Sequence, residues 1–300
     1  MHRGPLIGVV AGLLTLVLVG HGMLPALNGV TTVIESFLPW LGLLVPVLLA
    51  AAIHARSGAA LAIVAVSALV WGVMFVPDML RGERGGPYDV RVATVNVGAG
   101  NKDPRATVRA VAQDKPDILA VQEITAASRE PVHKVLEKRF PHHYSVGTVG
   151  LWSRWPLRQT QRVDLGLSWT RAVRAEVATP KGPVTVYSVH LASARPGETA
   201  DRDKTLTAAA RHVKADKSAR LILAGDLNTA TTDRRRADLV PPLKDAQEES
   251  GTGLGFTWPA AFPMTRPDHI LYRGLAPVSA KVIKAPNTDH RAPIADLRLT

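Results

Sequence analysis

The sequence predicts a chain in two parts, an apolar helical anchor followed by a soluble α/β domain, and three observations predict it. The first is charge: residues 1–77 carry only Arg3, Glu35 and Arg56 as charged side chains, a net +1 of the whole-chain +11, which leaves +10 on residues 78–300. The second is run length: residues 4–24, 33–53 and 59–76 each approach the roughly 20 apolar residues that a helix needs to cross hydrocarbon. The third is that beyond residue 88 short strand-like runs alternate with helical spacing, and polar residues stand where the apolar runs end.

The anchor reads as residues 1–77 with three transmembrane helices, broken at residues 25–29 and 54–58. The first apolar run exceeds the roughly 7 to 15 residues of a signal-peptide core, and two more runs follow it. Arg3 precedes the first span, no Lys or Arg lies between the first and second, and Arg56 lies between the second and third. The positive-inside rule then puts the amino terminus inside and everything after Val76 outside the cytoplasm, with Trp71 and Phe75 as belt residues at the outer interface. Residues 78–87, rich in Gly, Pro and charge, read as a linker, and residues 88–300 as the folded domain.

Within that domain, residues 90–97 read as a strand delivering Asn96, residues 104–114 as a helix, and residues 117–121 as a buried strand ending at Glu123. Residues 131–140 read as a helix and 150–156 as a strand, with His142 and His143 solvated in the loop between them. A hairpin around residues 180–183 has a second strand that finishes at His190, and a polar helix over 202–215 leads to the next strand. Arg234-Arg235-Arg236 reads as a solvated loop or as a contact for anionic headgroups. Asp268 stands at the start of a short strand, and Asp289-His290 precede the closing strand over 292–299. The chain has no cysteine, so any metal must be held by oxygen or imidazole.

Leu221-Ile222-Leu223-Ala224-Gly225-Asp226-Leu227-Asn228-Thr229 is central, because four apolar residues deliver two polar ones to a strand's end. If the strand continues, Asp226 and Asn228 share one face through the period of two. If it stops, the same residues make an Asx-type turn.

The ordered motifs are Thr94-Val95-Asn96-Val97, Asp117-Ile118-Leu119-Ala120-Val121-Gln122-Glu123, Leu151-Trp152-Ser153-Arg154, Val189-His190-Leu191, Gly225-Asp226-Leu227-Asn228, Arg266-Pro267-Asp268-His269-Ile270-Leu271 and Thr288-Asp289-His290-Arg291. With them the chain resembles the endonuclease/exonuclease/phosphatase family, the DNase I-like metal-dependent phosphodiesterases and phosphatases, over almost all of residues 88–300. The resemblance implies a four-layer α-β-β-α sandwich. It implies Glu123, Asn96 and Asp289 around Mg2+, for which Mn2+ can substitute. It also implies Asp226 as the base for the attacking water, Asn228 on the phosphoryl oxygens, His190 on the scissile phosphate or the leaving group, and Asp268 fixing the tautomer of His290. Oxygen ligands and several retained waters suit magnesium. Phosphoryl transfer needs mainly positioning and charge neutralisation.

The three-span anchor resembles a narrower bacterial group, the VanJ-like teicoplanin-resistance proteins, linked to dephosphorylating undecaprenyl pyrophosphate, the carrier lipid of wall synthesis. The expected partners are therefore a membrane and a lipid-linked pyrophosphate, and the sequence names no protein partner. A tethered nuclease or phospholipase C-like enzyme is the alternative, since nucleic acid also suits a basic surface. A catalytically dead phosphate-binding module is the third reading, disfavoured because every acid, amide and histidine position is filled. The apolar residues Leu254, Phe256, Trp258, Phe262 and Met264 either meet the lipid tail or close the domain's core.

Overall fold

The computed structural model describes residues 3–300. Its amino-terminal part consists of α1 (Arg3–Gly20), α2 (Val30–Ser36), α3 (Leu44–His54) and α4 (Gly58–Leu80). The first and last are long and apolar enough to cross a membrane, whereas the expected second span is a pair of helical pieces bent by 64° after Ser36. Pro39 explains the bend, because proline lacks an N–H and disfavours helical backbone in the residue before it. Helix α2 therefore does not continue into α3 and is free to lie elsewhere. Leu14, Leu18, Leu38 and Phe75 form the buried centre of the bundle. Leu16, Val19, Leu69 and Val73 are exposed on its outside, an apolar surface suited to lipid rather than water. Trp71 and Phe75 are not belt residues: Trp71 Nε1 donates to the Pro39 carbonyl at 2.8 Å, and Phe75 is buried. The expected linker is shorter and docked, since α4 runs through Pro77 to Leu80, and the Arg84 and Gly85 amides donate to the Val278 carbonyl.

The remaining chain folds as β1 (Val90–Asn96), α5 (Pro104–Gln113), β2 (Ile118–Gln122), α6 (Ala126–Leu136), β3 (His142–Val146), β4 (Val149–Ser153), β5 (Leu157–Arg162), β6 (Ala172–Thr179), β7 (Gly182–His190), α7 (Ala200–Ala215), β8 (Leu221–Asp226), β9 (Lys244–Asp245), α8 (Ala246–Ser250), β10 (Asp268–Arg273), β11 (Leu275–Lys284) and β12 (Arg291–Leu299). Two six-stranded sheets result, ordered β11-β12-β1-β2-β4-β3 and β5-β6-β7-β8-β10-β9. Val92, Ile118 and Leu151 of the first meet Val186, Ile222 and Ile270 of the second between the sheets. Val95 and Leu119 pack outward on Val108 and Leu136 of α5 and α6, while Leu221 and Leu223 pack outward on Leu206 and Val213 of α7. This is the four-layer arrangement, and burial on both faces is why β8 reads as an unbroken apolar run.

Several local expectations change. His142 and His143 lie in the edge strand β3 rather than in a loop, with the His143 ring centroid 3.9 Å from that of His133. Helix α6 starts five residues before the expected Pro131, at Ala126, because Thr125 and Ser128 make a reciprocal capping box there. Nor are Arg234-Arg235-Arg236 a solvated loop. Arg236 reaches Asp245 and Glu248, and Arg234 reaches Glu35 of α2 at 2.7 Å.

Strand register places the functional residues on one rim. Strands β7 and β8 are parallel, so His190 stands opposite Asp226, and β10 runs antiparallel to β8, so its first residue Asp268 also stands opposite Asp226. In the other sheet, parallel β1 and β2 bring Asn96 beside Gln122, next to Glu123.

Candidate active site

Asp226 is the hub. Its Oδ2 accepts from Asn96 Nδ2 at 2.9 Å across the two sheets, and it lies 3.7 Å from His190 Nε2 and 3.8 Å from His290 Nε2. Gly225 is needed beside it: at φ 154° its backbone passes so close to β7 that a Cβ would lie 1.8 Å from the Val189 carbonyl oxygen. Burial and the nearby Asp268 carboxylate push Asp226 up to about 7.

The strand ends at Asp226, so Asn228 does not share its face through strand alternation. Asn228 takes a left-handed conformation at φ 46°, and its amide nitrogen donates to Asp226 Oδ1 at 2.9 Å, an Asx-type turn. The side chain of Asn228 donates to the Leu191 carbonyl at 3.0 Å, which holds the loop after β8 against the end of β7. Its second amide hydrogen is left for a ligand.

His290 Nδ1 sits 2.8 Å from Asp268 Oδ2, which also accepts from the Thr257 hydroxyl at 2.6 Å. The Asp268 contact fixes the proton on Nδ1 and leaves Nε2 facing Asp226. Burial alone would lower the basicity of His290, but Asp268 and Asp226 outweigh it and push the pKa up to about 10. His190 moves the other way. Burial, with Arg171 and His290 nearby, holds it well below the ordinary imidazole value, so it is neutral.

Glu123 is held at φ 60° just past the end of β2, where its Oε1 accepts from Asn96 at 3.1 Å and its Oε2 from the Ala99 amide at 2.6 Å. Asn96 thus bridges Glu123 and Asp226, while its own oxygen accepts from the Gly98 amide at 2.9 Å and keeps a lone pair. Asp289 is exposed, and its Oδ2 accepts from Trp258 Nε1 at 3.1 Å. Glu123 and Asp289 both line one cavity, and their oxygens, with that of Asn96, are of the hard, sulfur-free kind that suits a divalent cation. Among the described residues the tightest acid–histidine grouping is instead Asp226, Asp268 and His290. There His290 Nδ1 is already engaged by Asp268.

These residues open onto a cavity of about 500 Å3 lined by Glu123, Asp226, Asn228, Asp289 and His290. Its lining also includes Thr32, Val33, Ser36 and Phe37, which belong to the helical part. The sequence reading missed this part of the lining, as it missed Thr257, Arg171 and Arg195. A signal existed in Thr31-Thr32-Val33-Ile34-Glu35-Ser36, too polar for the start of a membrane span, where a carboxylate is costly. Arg171 donates from Nε and Nη2 to the carbonyls of His190 and Leu191 at 2.8 Å each, fixing the end of β7.

The loop residues 254–264 neither close the sandwich core nor stand free. The Trp40 ring lies 5.9 Å from Phe256 and 5.8 Å from Phe262, its Nε1 donates to the Met264 carbonyl at 2.7 Å, and Leu254 packs on the bundle centre.

A family model described as the endonuclease/exonuclease/phosphatase family matches residues 93–290, the stretch that carries every residue described above from Asn96 to His290. The chain belongs to that family. The endonuclease/exonuclease/phosphatase members are metal-dependent phosphoester hydrolases, and so is this protein. Solved structures with the same fold include an endonuclease/exonuclease/phosphatase from Beutenbergia cavernae DSM 12333, 20% identical, covering 71% of this chain and 72% of that one at a TM-score of 0.57. One from Bacteroides vulgatus is 17% identical and covers 71% of this chain and all of its own at 0.60. Sphingomyelinase C from Streptomyces griseocarneus is 18% identical and covers 70% and 99% at 0.56. No curated protein matches the chain.

Proposed function

We propose that this hydrolase is anchored in a membrane, works outside the cytoplasm and removes the terminal phosphate from undecaprenyl pyrophosphate or a related lipid pyrophosphate. One observation carries the reading: the catalytic cavity is walled on one side by Thr32, Val33, Ser36 and Phe37 of the apolar helical part. A substrate fixed in the same membrane has its phosphate at that wall, at high effective concentration. The second, weaker support is the docked loop over 254–264, whose Phe262 remains 62% exposed beside the bundle.

In the reaction Asp226, poised near neutrality, accepts the proton of the attacking water, as suits a general base. His290, protonated and oriented by Asp268, donates from Nε2 to a phosphoryl oxygen. The second amide hydrogen of Asn228 does the same. His190, neutral, is available to the leaving-group oxygen. Glu123, Asn96 and Asp289 would hold Mg2+, which supplies Lewis-acid neutralisation of the phosphoryl charge.

The test is a parallel assay of the full-length protein in mixed micelles with Mg2+, offering polyprenyl pyrophosphate, sphingomyelin and duplex DNA. Release of inorganic phosphate from the polyprenyl lipid should be fastest. Faster cleavage of DNA or of sphingomyelin would replace this reading with a tethered nuclease or a phospholipase C-like enzyme.

A further inference from the structure

Arg195 lines the cavity and is the only Lys or Arg that does so among the described residues. The same cavity is lined by three carboxylates, Glu123, Asp226 and Asp289, which the mechanism above already employs. Arg195 makes no ion pair among the described residues, although many other arginines of the domain are paired with carboxylates, Arg234 and Arg236 among them. Arg195 is exposed, so its guanidinium is open to an anion that enters the cavity from outside.

Its position is set by the helical part. Gly197 donates its amide to the Asn28 carbonyl at 2.5 Å, and Arg195 and Glu198 pair through their backbones to shape the same turn. Gly29, at φ 85°, lies so close that a Cβ would meet the Arg195 carbonyl oxygen at 2.9 Å. The connection between α1 and α2 therefore clasps the 195–198 turn, and Arg195 lines one cavity together with Thr32 and Phe37 and with the catalytic residues.

We infer that Arg195 binds the non-reacting phosphate of a diphosphate substrate, making this a two-phosphate site. This rests on the proposed lipid pyrophosphate reading. A simple diester or monoester has one phosphate, which Asn228 and His290 serve. A lipid diphosphate brings a second phosphate next to its chain, on the side where the membrane wall and Arg195 stand. In the reaction the water oxygen bonds to the terminal phosphorus while its proton goes to Asp226. The bond from that phosphorus to the bridging oxygen breaks, the electron pair stays on the lipid phosphate, and Arg195 neutralises it as it leaves. The products are inorganic phosphate and the lipid monophosphate.

The experiment compares farnesyl diphosphate with p-nitrophenyl phosphate, which lacks the second phosphate, using full-length protein in detergent with Mg2+. Arg195→Gln should lower kcat/KM for the diphosphate by about 10- to 100-fold, the range for a hydrogen bond to a charged group. The monoester should change by less than about 3-fold, and Arg195→Lys should restore part of the loss as a point charge. Gly29→Val, which forces the turn away, should reproduce the selective loss. Equal losses on both substrates, or an unchanged diphosphate rate in Arg195→Gln or Gly29→Val, would overturn the assignment while leaving the lipid reading intact. A wild-type protein that prefers DNA to both compounds would overturn the lipid reading itself.

Discussion

Arg234 Nε lies 2.7 Å from Glu35 Oε1, and through this pair the catalytic domain grips the only carboxylate of the first 77 residues. The same guanidinium donates to the carbonyls of His21 and Leu24, and the Thr232 hydroxyl donates to the Glu35 carbonyl, so the contact fixes α2 as well as its side chain. Glu35 is only 1% exposed. The domain is thus seated on the helices rather than swinging from a tether.

Removing Arg234 leaves the buried Glu35 carboxylate with only His21 Nδ1, 3.2 Å away, as a side-chain partner. Arg234→Ala should cost on the order of 3 kcal/mol in docking and open the segment over residues 24–43 to protease in detergent. Unchanged cleavage and unchanged thermal unfolding would mean that Trp40 and its aromatic partners hold the interface alone.

Asn96 joins Glu123 and Asp226, and the proposed mechanism gives the two carboxylates different work. Asp226→Asn should keep metal affinity and lower turnover by about 10²- to 10⁴-fold, the range for a lost general base, whereas Glu123→Gln should weaken metal binding measured by calorimetry. An Asp226→Asn protein with full turnover, or wild-type activity in EDTA, refutes the division of roles.

His290 owes its raised pKa of about 10 to the Asp268 and Asp226 carboxylates. In metal-free Asp268→Asn protein its titration, followed by NMR, should move down toward the ordinary value near 6.5. With the folded value above the unfolded one, the ion pair stabilises the wild type fully below about 6.5, and that contribution fades as pH rises through about 10. A His290 titration unmoved by Asp268→Asn would show that Asp268 does not set its charge.

Asp245, buried between Arg266, His269 and Arg236, tests acid stability. Burial raises its pKa, but these three neighbours outweigh burial and hold it far below the ordinary carboxylate value. Its contribution is therefore present above about 3.9 and lost as pH falls from there toward the folded value. Asp245→Asn should lose about 3 to 5 kcal/mol at pH near 7. Its melting temperature should also depend less on pH below about 4. A variant as acid-sensitive as the wild type would point to other carboxylates.

The proposed topology predicts that protease added to intact spheroplasts removes residues beyond Leu80. Protection of the domain until lysis would put it inside the cytoplasm.

The sequence by itself determined which residues reach the rim. An apolar run buried on both faces must be a central strand, and a carboxylate or imidazole after it must stand where the strand stops, as Glu123, His190 and Asp226 do. It also determined the two apolar helices at either end of the bundle, because length and composition alone decide whether a helix can cross hydrocarbon. Only the tertiary structure decided that Asn96 of one sheet would meet Asp226 of the other, since strand periodicity is blind to how two sheets face each other. It likewise decided that the second apolar run would bend after Ser36 and send α2 to the catalytic cavity. A hydropathy pattern counts apolar residues in line, but the partners of Thr32 and Glu35, Arg202 and Arg234, lie more than 160 residues away in the chain.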